Sequence, residues 1–242
     1  PPRVDSTSAQ APDQAMVDGT SAVVELRPAA DASVDSLAAE YPEYVDTYKR
    51  ALTLAAENGF RDLERLGIVR AGGLDKDGRD VYLFYPQALQ EDTDLELVTM
   101  LALHLMHGTV VRQSRPYTVV WVCNNQQDSR LSFWWFRRTY RMLPQAYKKQ
   151  MRQLCVVHPG VQVRIQLYLL SFVVSTSFWE KLFYADRIEF LDEVLPPELI
   201  GAIPEEYKVY DRLLDKMMLE KPGEDVLAAG DASQLYGANY GK

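Results

Sequence analysis

Residues 153–175, QLCVVHPGVQVRIQLYLLSFVVS, decide the fold of this chain. A short apolar run stops at His158-Pro159-Gly160, and a longer apolar run begins at once. The short run, bounded by a Pro-Gly turn, predicts a buried strand over residues 155–158. The longer run predicts a helix over residues 160–182.

The uncharged part of this predicted helix is too short to cross a bilayer. Residues 165–179 carry no charged side chain, but they include Gln166, three serines and a threonine. A membrane span needs about 20 predominantly apolar residues. The helix could instead cover a cavity, lie at a bilayer surface or belong to the core. We therefore expect a protein that is not integral to the membrane.

The segments around this stretch alternate between helix and strand. Strands are predicted in a hairpin over residues 71–86, which turns at Asp77-Gly78, and over residues 117–123, 155–158 and 187–194. Helices are predicted over residues 34–66, with ends at Gly59 and Gly67, and over residues 92–113, 129–143, 145–154, 160–182 and 196–218. This alternation predicts an α/β fold with a mainly parallel sheet and helices on its faces.

The chain divides into one domain and two polar ends. Residues 1–33 lack periodicity and predict a flexible N-terminal arm, and residues 219–242 predict a C-terminal tail. The domain then covers residues 34–218. Within it we expect a helical lead-in over residues 34–72 and an α/β core over residues 73–218.

Composition argues against several classes of function. The 242 residues are 47% hydrophobic and 25% charged, as in ordinary globular proteins, and the net charge of -8 argues against a nucleic-acid partner. Cys123 and Cys155 each lie within an apolar run, so both are expected to be reduced core residues. Two cysteines and three histidines supply no recognisable zinc framework, so we expect no metal.

His158 is the strongest candidate for a catalytic residue. It follows a predicted strand, and functional residues of α/β proteins often lie at the carboxyl ends of strands. No serine elbow or activated cysteine accompanies it in the sequence. The alternative is a turn residue whose imidazole caps a backbone group, and the sequence favours this structural role over catalysis.

The acidic and basic residues are unevenly distributed. No Asp or Glu occurs from Ser129 to Trp179, whereas that span carries eight Lys and Arg residues. The span therefore has a charge of +8 and the remainder of the chain -16. One interpretation is a solvated helix face, and the other is a basic face for anionic headgroups or an acidic partner.

The segment LCVVHPGVQVRIQLYLLSFVVSTSFWEKLFYADRIEFLDEVLPPELIGAIPEEYKVYD, residues 154–211, resembles the C-terminal half of a divergent CRAL-TRIO domain. Its marks are a helix with Tyr147 and Lys148 before a strand ending VVHP, an apolar helix running to Phe178-x-x-Lys181, the segment LFYADRIEFLDEVLP, and a closing Tyr-Asp pair. The resemblance is specific over residues 140–214 and extends loosely back to residue 73. It is closest to the BCH domains of Rho GTPase-activating proteins and related adaptors. The chain departs from the family at LSFVV, where an Arg-Pro-Phe is common.

The resemblance implies a sheet floor and helices that enclose an apolar pocket, with residues 161–182 as a movable lid. A bound phospholipid or other lipophile is then expected as the only cofactor, and the lipid pocket and lid candidates are Trp121, Trp134, Val163, Leu167, Leu170, Phe172, Val174 and Phe178. BCH-type relatives instead imply a scaffold that contacts small GTPases. Neither role is catalytic. The basic-face candidates, from the charge pattern, are Arg137, Arg138, Arg141, Lys148, Lys149 and Arg152.

Three functional hypotheses follow. The first is a non-catalytic module that binds a lipophile or serves as a protein-interaction scaffold, with a lipid, a membrane surface, a small GTPase or a larger assembly as partner. The second is a ligand-free accessory subunit of a larger, mitochondrial membrane complex, held through its tails and basic face. The sequence opens with Pro-Pro and no Met, which favours a mitochondrial over a cytoplasmic location as an expectation. The third, least favoured, is a hydrolase using His158.

Overall fold

A computed structural model describes residues 32–57, 59–124, 130–170, 172–174 and 176–220. The predicted N-terminal arm and C-terminal tail lie outside these residues, except at positions 32–33 and 219–220. The description below concerns the part of the chain that these ranges cover.

A helical segment precedes the sheet, as predicted. Helix α1 spans Ala32–Glu40, a 3-10 turn covers Pro42–Tyr44, α2 spans Val45–Ala56 and α3 spans Arg61–Leu66. Gly67 ends α3 in the left-handed conformation, with φ of 67°, and its N–H donates to the carbonyl oxygens of Leu63 and Glu64. Glycine adopts this conformation without a steric penalty, which confirms the predicted helix end.

Five strands form one sheet in the order of the sequence. They are β1 Val69–Leu74, β2 Asp80–Phe84, β3 Tyr117–Val122, β4 Met151–Val157 and β5 Leu182–Ala185. Strands β1 and β2 are antiparallel and join in the predicted hairpin, where Gly78 has φ of 74°. The pairs β2–β3, β3–β4 and β4–β5 are parallel. The mainly parallel α/β fold is therefore confirmed.

Helices and 3-10 turns cover both faces of the sheet. After β2 come a 3-10 turn at Pro86–Ala88, α4 at Leu95–Met106 and a π-helical turn at His107–Arg112. Between β3 and β4 lie α5 at Phe133–Met142 and α6 at Gln145–Gln150. Helices α7 at Val161–Leu170 and α8 at Thr176–Trp179 connect β4 to β5. A 3-10 helix at Ile188–Glu193, then α9 at Pro197–Ala202 and α10 at Glu205–Glu220, complete the domain.

The central strands bury both of their faces, as expected for parallel sheets. On β3, Val120 and Val122 pack with Ile188 and Leu191 of the C-terminal segment. Trp121, from the same strand, packs on the opposite face in a cluster that includes α7. The sheet thus separates one core beneath the C-terminal elements from another beneath α4, α5 and α7.

Two predicted strands were misplaced. Residues 187–194 do not form a strand, because Ile188–Glu193 is a 3-10 helix, and the edge strand of the sheet is β5 at Leu182–Ala185. Strand β4 begins at Met151 and not at residue 155, so the predicted helix over 145–154 ends at Gln150. The backbone of β4 pairs with both β3 and β5, and this pairing outweighs the weak helical pattern of residues 151–154.

The predicted long lid helix is interrupted. Helix α7 ends at Leu170, and the next helical residues are the four of α8. The sequence between them is rich in serine and valine, which are weaker helix formers than the leucine and glutamine of α7. The final residue of the predicted helix, Leu182, belongs to β5.

Candidate functional site

An apolar cavity of about 200 Å³ lies between the sheet and helices α4, α5 and α7. Strands β2, β3 and β4 form its floor, and the three helices, with one side chain from α8, form its walls. The lining includes Tyr82, Phe84, Val98, Ala102, Met106, Val119, Trp121, Trp135, Phe136, Tyr140, Leu154, Leu167, Leu170 and Phe178. None of the residues that line it is Asp, Glu, Lys, Arg or His, so the cavity carries no formal charge.

Helix α7 is apolar on two faces. Its inner face buries Val163, Gln166, Leu167 and Leu170, of which both leucines line the cavity. Its outer face exposes apolar side chains at three- and four-residue spacing, and Phe172 just beyond the helix continues this row. The exposed residues are Val161, Ile165, Tyr168, Leu169 and Phe172. A surface helix normally places polar residues on this side, so the outer face differs from an ordinary solvent-facing one.

Four aromatic rings pack around one end of the cavity. The ring centroid of Trp121 on β3 lies 5.0 Å from that of Phe136, and Trp135 on α5 lies 4.9 Å from the same ring. Phe84 lies 6.1 Å from Trp121 and 6.3 Å from Trp135. The indole Nε1 atoms of both tryptophans are buried, and neither has a hydrogen-bond partner among the described residues.

The predicted pocket residues divide into three groups. Trp121, Leu167, Leu170 and Phe178 line the cavity. Val163 and Val174 are buried in the adjacent core cluster without lining it.

The remaining two predicted pocket residues are a correction, because they face solvent. Trp134 is 68% exposed and Phe172 is 75% exposed. Adjacent residues of a helix point to different sides, so the cavity receives Trp135 where Trp134 was expected. The sequence pattern did not distinguish between these two adjacent tryptophans. The α4 wall was not predicted at all, although its apolar sequence marked it as buried.

Most of the predicted basic residues form contacts within the domain. Arg138 pairs with Glu96 on α4, and Lys148 pairs with Glu40 on α1 at 2.9 Å. Arg141 lies over the ring of Tyr41, and Arg137 over that of Trp134. Lys149 and Arg152 are exposed. Three of the six thus contact α1, α4 or the turn between α1 and α2, and these contacts join α5 and α6 to those elements.

His158 is buried at the end of β4, where it holds α10. Its Nδ1 lies 2.9 Å from Oδ1 of Asn124, and its Nε2 lies 2.6 Å from Oδ1 of Asp211 on α10. Asp211 also accepts from the backbone N–H of Ile188. The imidazole therefore contacts two side chains, where a backbone cap had been predicted, and these contacts give it a structural role.

A second, more polar pocket of about 360 Å³ lies beside α10. It is lined by Gln87, Asn124, Glu206, Tyr207 and Tyr210, with Ala88, Val209 and Leu213. Burial, with the neighbouring Glu206 carboxylate, raises the pKa of Tyr207 to about 12, so this phenol stays protonated at neutral pH. No feature of the sequence indicated this pocket.

The two cysteines are free and buried, as predicted. Cys155 packs in the core beneath the C-terminal elements, and Cys123 packs on the α7 side of the sheet. Burial raises the pKa of Cys155 to about 12 and also raises that of Cys123. Both thiols are therefore protonated at neutral pH, which makes them poor nucleophiles.

Two kinds of site are not found within the described ranges. No three His, Cys, Asp or Glu side chains in these ranges are grouped so as to hold a metal ion. No described helix has the length and apolar character needed to pass through a bilayer.

Comparison with known proteins places the chain in a family. The model of the divergent CRAL/TRIO domain matches residues 78–212, which include β2 to β5 and the first half of α10. The chain is 29% identical over 168 residues to Rho GTPase-activating protein gacY of Dictyostelium discoideum, a match that covers 69% of the chain and 22% of that protein. It is 28% identical over 159 residues to human Rho GTPase-activating protein 1, covering 65% of the chain and 36% of that protein.

A third relative has a different name. The GDAP2 homolog of Nematostella vectensis is 24% identical over 166 residues, covering 68% of the chain and 32% of that protein. The chain thus spans about a fifth to a third of the length of these relatives. The family match covers more than half of the chain, and the mainly parallel five-stranded sheet is consistent with it. The chain therefore belongs to the divergent CRAL/TRIO domain family.

Proposed function

We propose that the domain acts by binding a lipophilic molecule in the cavity between the sheet and α7, without catalysis. The observation that carries this proposal is the cavity itself, which is uncharged and lined by aromatic and aliphatic side chains. Ligand sites of this kind are concave and predominantly apolar. Trp134 and Phe172, two of the large side chains that could have filled it, face solvent.

With α7 in the observed position, the volume of the cavity limits the size of the ligand that it can hold. An apolar cavity of about 150 Å³ in another protein holds benzene, so 200 Å³ accommodates a small lipophile or a segment of one chain. A phospholipid, the ligand class that the family resemblance implies, requires α7 to move outward. Helix α7 is suited to this movement because only Leu167 and Leu170 of its ten residues line the cavity.

Native mass spectrometry of the gently extracted full chain tests this proposal. We expect the wild-type protein to carry an additional mass that organic extraction releases as a lipid. The Leu167→Trp variant places a larger side chain at the cavity wall and should lose this mass. Ile165→Trp is the matched control, because Ile165 is 54% exposed on the outer face of the same helix. Equal bare masses for all three proteins would rule the proposal out.

A second candidate function is protein interaction through the outer face of α7. The exposed row of Val161, Ile165, Tyr168, Leu169 and Phe172 supports it, since contiguous apolar surface on a soluble domain often marks an interface. Two of the relatives are named Rho GTPase-activating proteins, so a Rho-class small GTPase is the partner to test. This function is compatible with an occupied cavity.

Isothermal titration of the chain with a Rho-class GTPase, in its GDP-bound and GTP-analogue-bound forms, tests the second candidate. We expect Ile165→Glu to weaken binding at least tenfold, because it places a charge in the apolar interface. Val209→Glu is the control, since Val209 is an exposed apolar residue on α10. Equal effects of the two substitutions, or the absence of wild-type binding, would dispose of this candidate.

The accessory-subunit hypothesis receives less support. Its tails lie outside the described residues except at positions 32–33 and 219–220, and three of its six basic-face residues contact α1, α4 or the turn between α1 and α2. The relatives reported above do not support the mitochondrial setting expected from the sequence.

A further inference from the structure

The buried imidazole of His158 has a side-chain oxygen beside each of its two nitrogens. The residue is 4% exposed, and its Nδ1 and Nε2 lie 2.9 Å from Oδ1 of Asn124 and 2.6 Å from Oδ1 of Asp211. A neutral imidazole has one N–H donor and one acceptor nitrogen, whereas the imidazolium donates from both nitrogens. The charge of this ring therefore depends on whether both of the facing oxygens are acceptors.

The amide of Asn124 presents an acceptor to the ring. Its Nδ2 lies 3.2 Å from the carbonyl oxygen of Tyr207 and 3.5 Å from Oε1 of Gln87. A backbone carbonyl oxygen only accepts, so a reversed amide would place two acceptor oxygens against each other. Oδ1 of Asn124 therefore faces His158, and Nδ1 of the ring donates to it.

The carboxylate of Asp211 is the acceptor on the other side of the ring. Its Oδ2 accepts from the backbone N–H of Ile188 at 3.2 Å, and Nη1 of Arg187 lies 3.9 Å from its Oδ1. An N–H donor and a nearby positive charge both favour the ionised form of a carboxyl group. Nε2 of His158 then donates to this carboxylate, so the bonded form of the ring is the imidazolium.

The second half of α10 depends on these polar contacts for its attachment. Tyr207, in the first half, is buried, but no side chain from Asp211 to Lys216 is buried in the described part of the helix. The contacts of this half are those of Asp211 with His158 and those of Asp211 and Asp215 with Arg187. Tyr210, the other titratable side chain of α10 against the imidazole, has its ring centroid 4.8 Å from that of His158.

From these contacts we infer that His158 is a pH-sensitive switch, which holds the second half of α10 on the sheet while the imidazole is protonated. Histidine is the side chain whose charge normally changes between about pH 5 and pH 8. When the ring gives a proton to solvent, the nitrogen that loses it keeps a lone pair facing an oxygen of Asn124 or Asp211. One hydrogen bond and the attraction between the two charges are lost together.

The direction of the pH effect follows from the protonated ring being the bonded form. Attachment of α10 is present at lower pH and is lost as the pH rises through the titration of His158. This inference goes beyond the proposed lipophile binding and does not depend on it, because His158 does not line the apolar cavity.

NMR of the ¹⁵N-labelled full chain tests the protonation of the ring. The sequence has three histidines, so His→Gln variants assign their imidazole signals. We expect both nitrogens of His158 to carry a hydrogen at about pH 6, where a buried neutral histidine would show one. A single protonated nitrogen at that pH overturns the inference.

Amide hydrogen exchange tests the attachment of the helix. After correction for intrinsic base catalysis, the amides of residues 211–216 should exchange about tenfold faster at about pH 9 than at about pH 6, because one hydrogen bond is lost. The amides of β3 and β4 should not change. Acceleration of all of these amides by the same factor would show unfolding of the whole domain and would also overturn the inference.

Two variants of α10 separate the switch from other effects of pH. In Asp211→Asn, an amide N–H can donate to the neutral ring, so the corrected exchange rates of residues 211–216 should not depend on pH. Asp215→Asn is the matched control, because Asp215 pairs with Arg187 and not with His158, and it should keep the pH dependence of the wild type. The same pH dependence in Asp211→Asn as in the wild type would refute the switch.

Discussion

Asn124 and His158 end neighbouring strands in the left-handed conformation, with φ of 47° and 48°. Such residues cost about 1–3 kcal/mol each and persist only where surrounding contacts compensate. The amide Nδ2 of Asn124 donates to the carbonyl oxygen of Tyr207, which orients its Oδ1 toward His158. With Asp211 on the opposite ring nitrogen, these contacts anchor α10 to the sheet. The Tyr-Asp pair that marked the family resemblance in the sequence is thus an anchor of the last helix.

This anchor can be measured by urea unfolding. Asp211→Ala leaves the buried imidazole of His158 without its Nε2 partner, so we expect a loss of about 1–3 kcal/mol in the free energy of unfolding. Asp215→Ala is the control on the same helix, because Asp215 forms an exposed pair with Arg187 worth about 0–1 kcal/mol. Equal losses for the two variants would contradict the anchoring role of His158.

Both cysteine thiols should resist alkylation in the folded protein. Cys123 and Cys155 are almost completely buried, and burial raises the pKa of each thiol, so little thiolate forms at pH 8. Mass spectrometry after iodoacetamide treatment at pH 8 should detect no adduct without denaturant and two adducts in 8 M urea. Rapid labelling of either cysteine in the native protein would show that its thiol is accessible to the reagent.

Among the secondary-structure elements, the turn between β1 and β2 is held in place by the carboxylate of Asp75. Asp75 accepts from the backbone N–H groups of Asp77 and Arg79, from the Arg79 guanidinium at 2.6 Å and from the Thr118 hydroxyl at 2.7 Å. Burial alone raises the pKa of this carboxyl, but the hydrogen bonds from Arg79 and Thr118 outweigh burial and lower the pKa below 3.8. The turn is thus joined to β3 through an ionised group.

The lowered pKa of Asp75 predicts a pH dependence. Because the folded value lies below the unfolded value of 3.8, the stabilisation is present above about pH 4 and is lost as the pH falls through the folded value. Asp75→Asn should therefore be less stable than wild type by about 1–3 kcal/mol at pH 7, and the difference should shrink below pH 4. The control Asp77→Asn, at an exposed position, should have a smaller effect. A pH-independent difference for Asp75→Asn would refute this assignment.

The elements that the sequence predicted correctly are those with strong local patterns. Strand β3 is a continuous apolar run between polar segments, and the hairpin contains an Asp-Gly turn, so each was recognisable without tertiary information. The 3-10 helix at Ile188–Glu193 was not recognisable in this way. Its two buried residues, Ile188 and Leu191, are three positions apart, as a 3-10 helix requires, but so short a segment also fits the pattern of a strand. Strand β5 has only four residues and follows the apolar lid segment directly, so its boundary depended on pairing with β4.

In the whole molecule, a pocket lies beneath residues 161–182 as the sequence indicated, but the sequence identified only some of the residues that line it. Leu167 and Leu170 follow from the periodicity of α7, whereas Trp135 and the α4 residues depend on how the helices pack over the sheet. The family resemblance supplied the general location of the cavity. Its size and its lack of charge required the three-dimensional arrangement.

We propose above all that the cavity between the sheet and α7 holds a lipophile. A crystal structure of the full chain, purified without detergent, tests it most directly through the electron density between Trp121, Leu167 and Phe178. We predict density for a non-protein molecule there. A cavity closed by repacked side chains, with no additional density, would show that the domain does not bind a lipophile there.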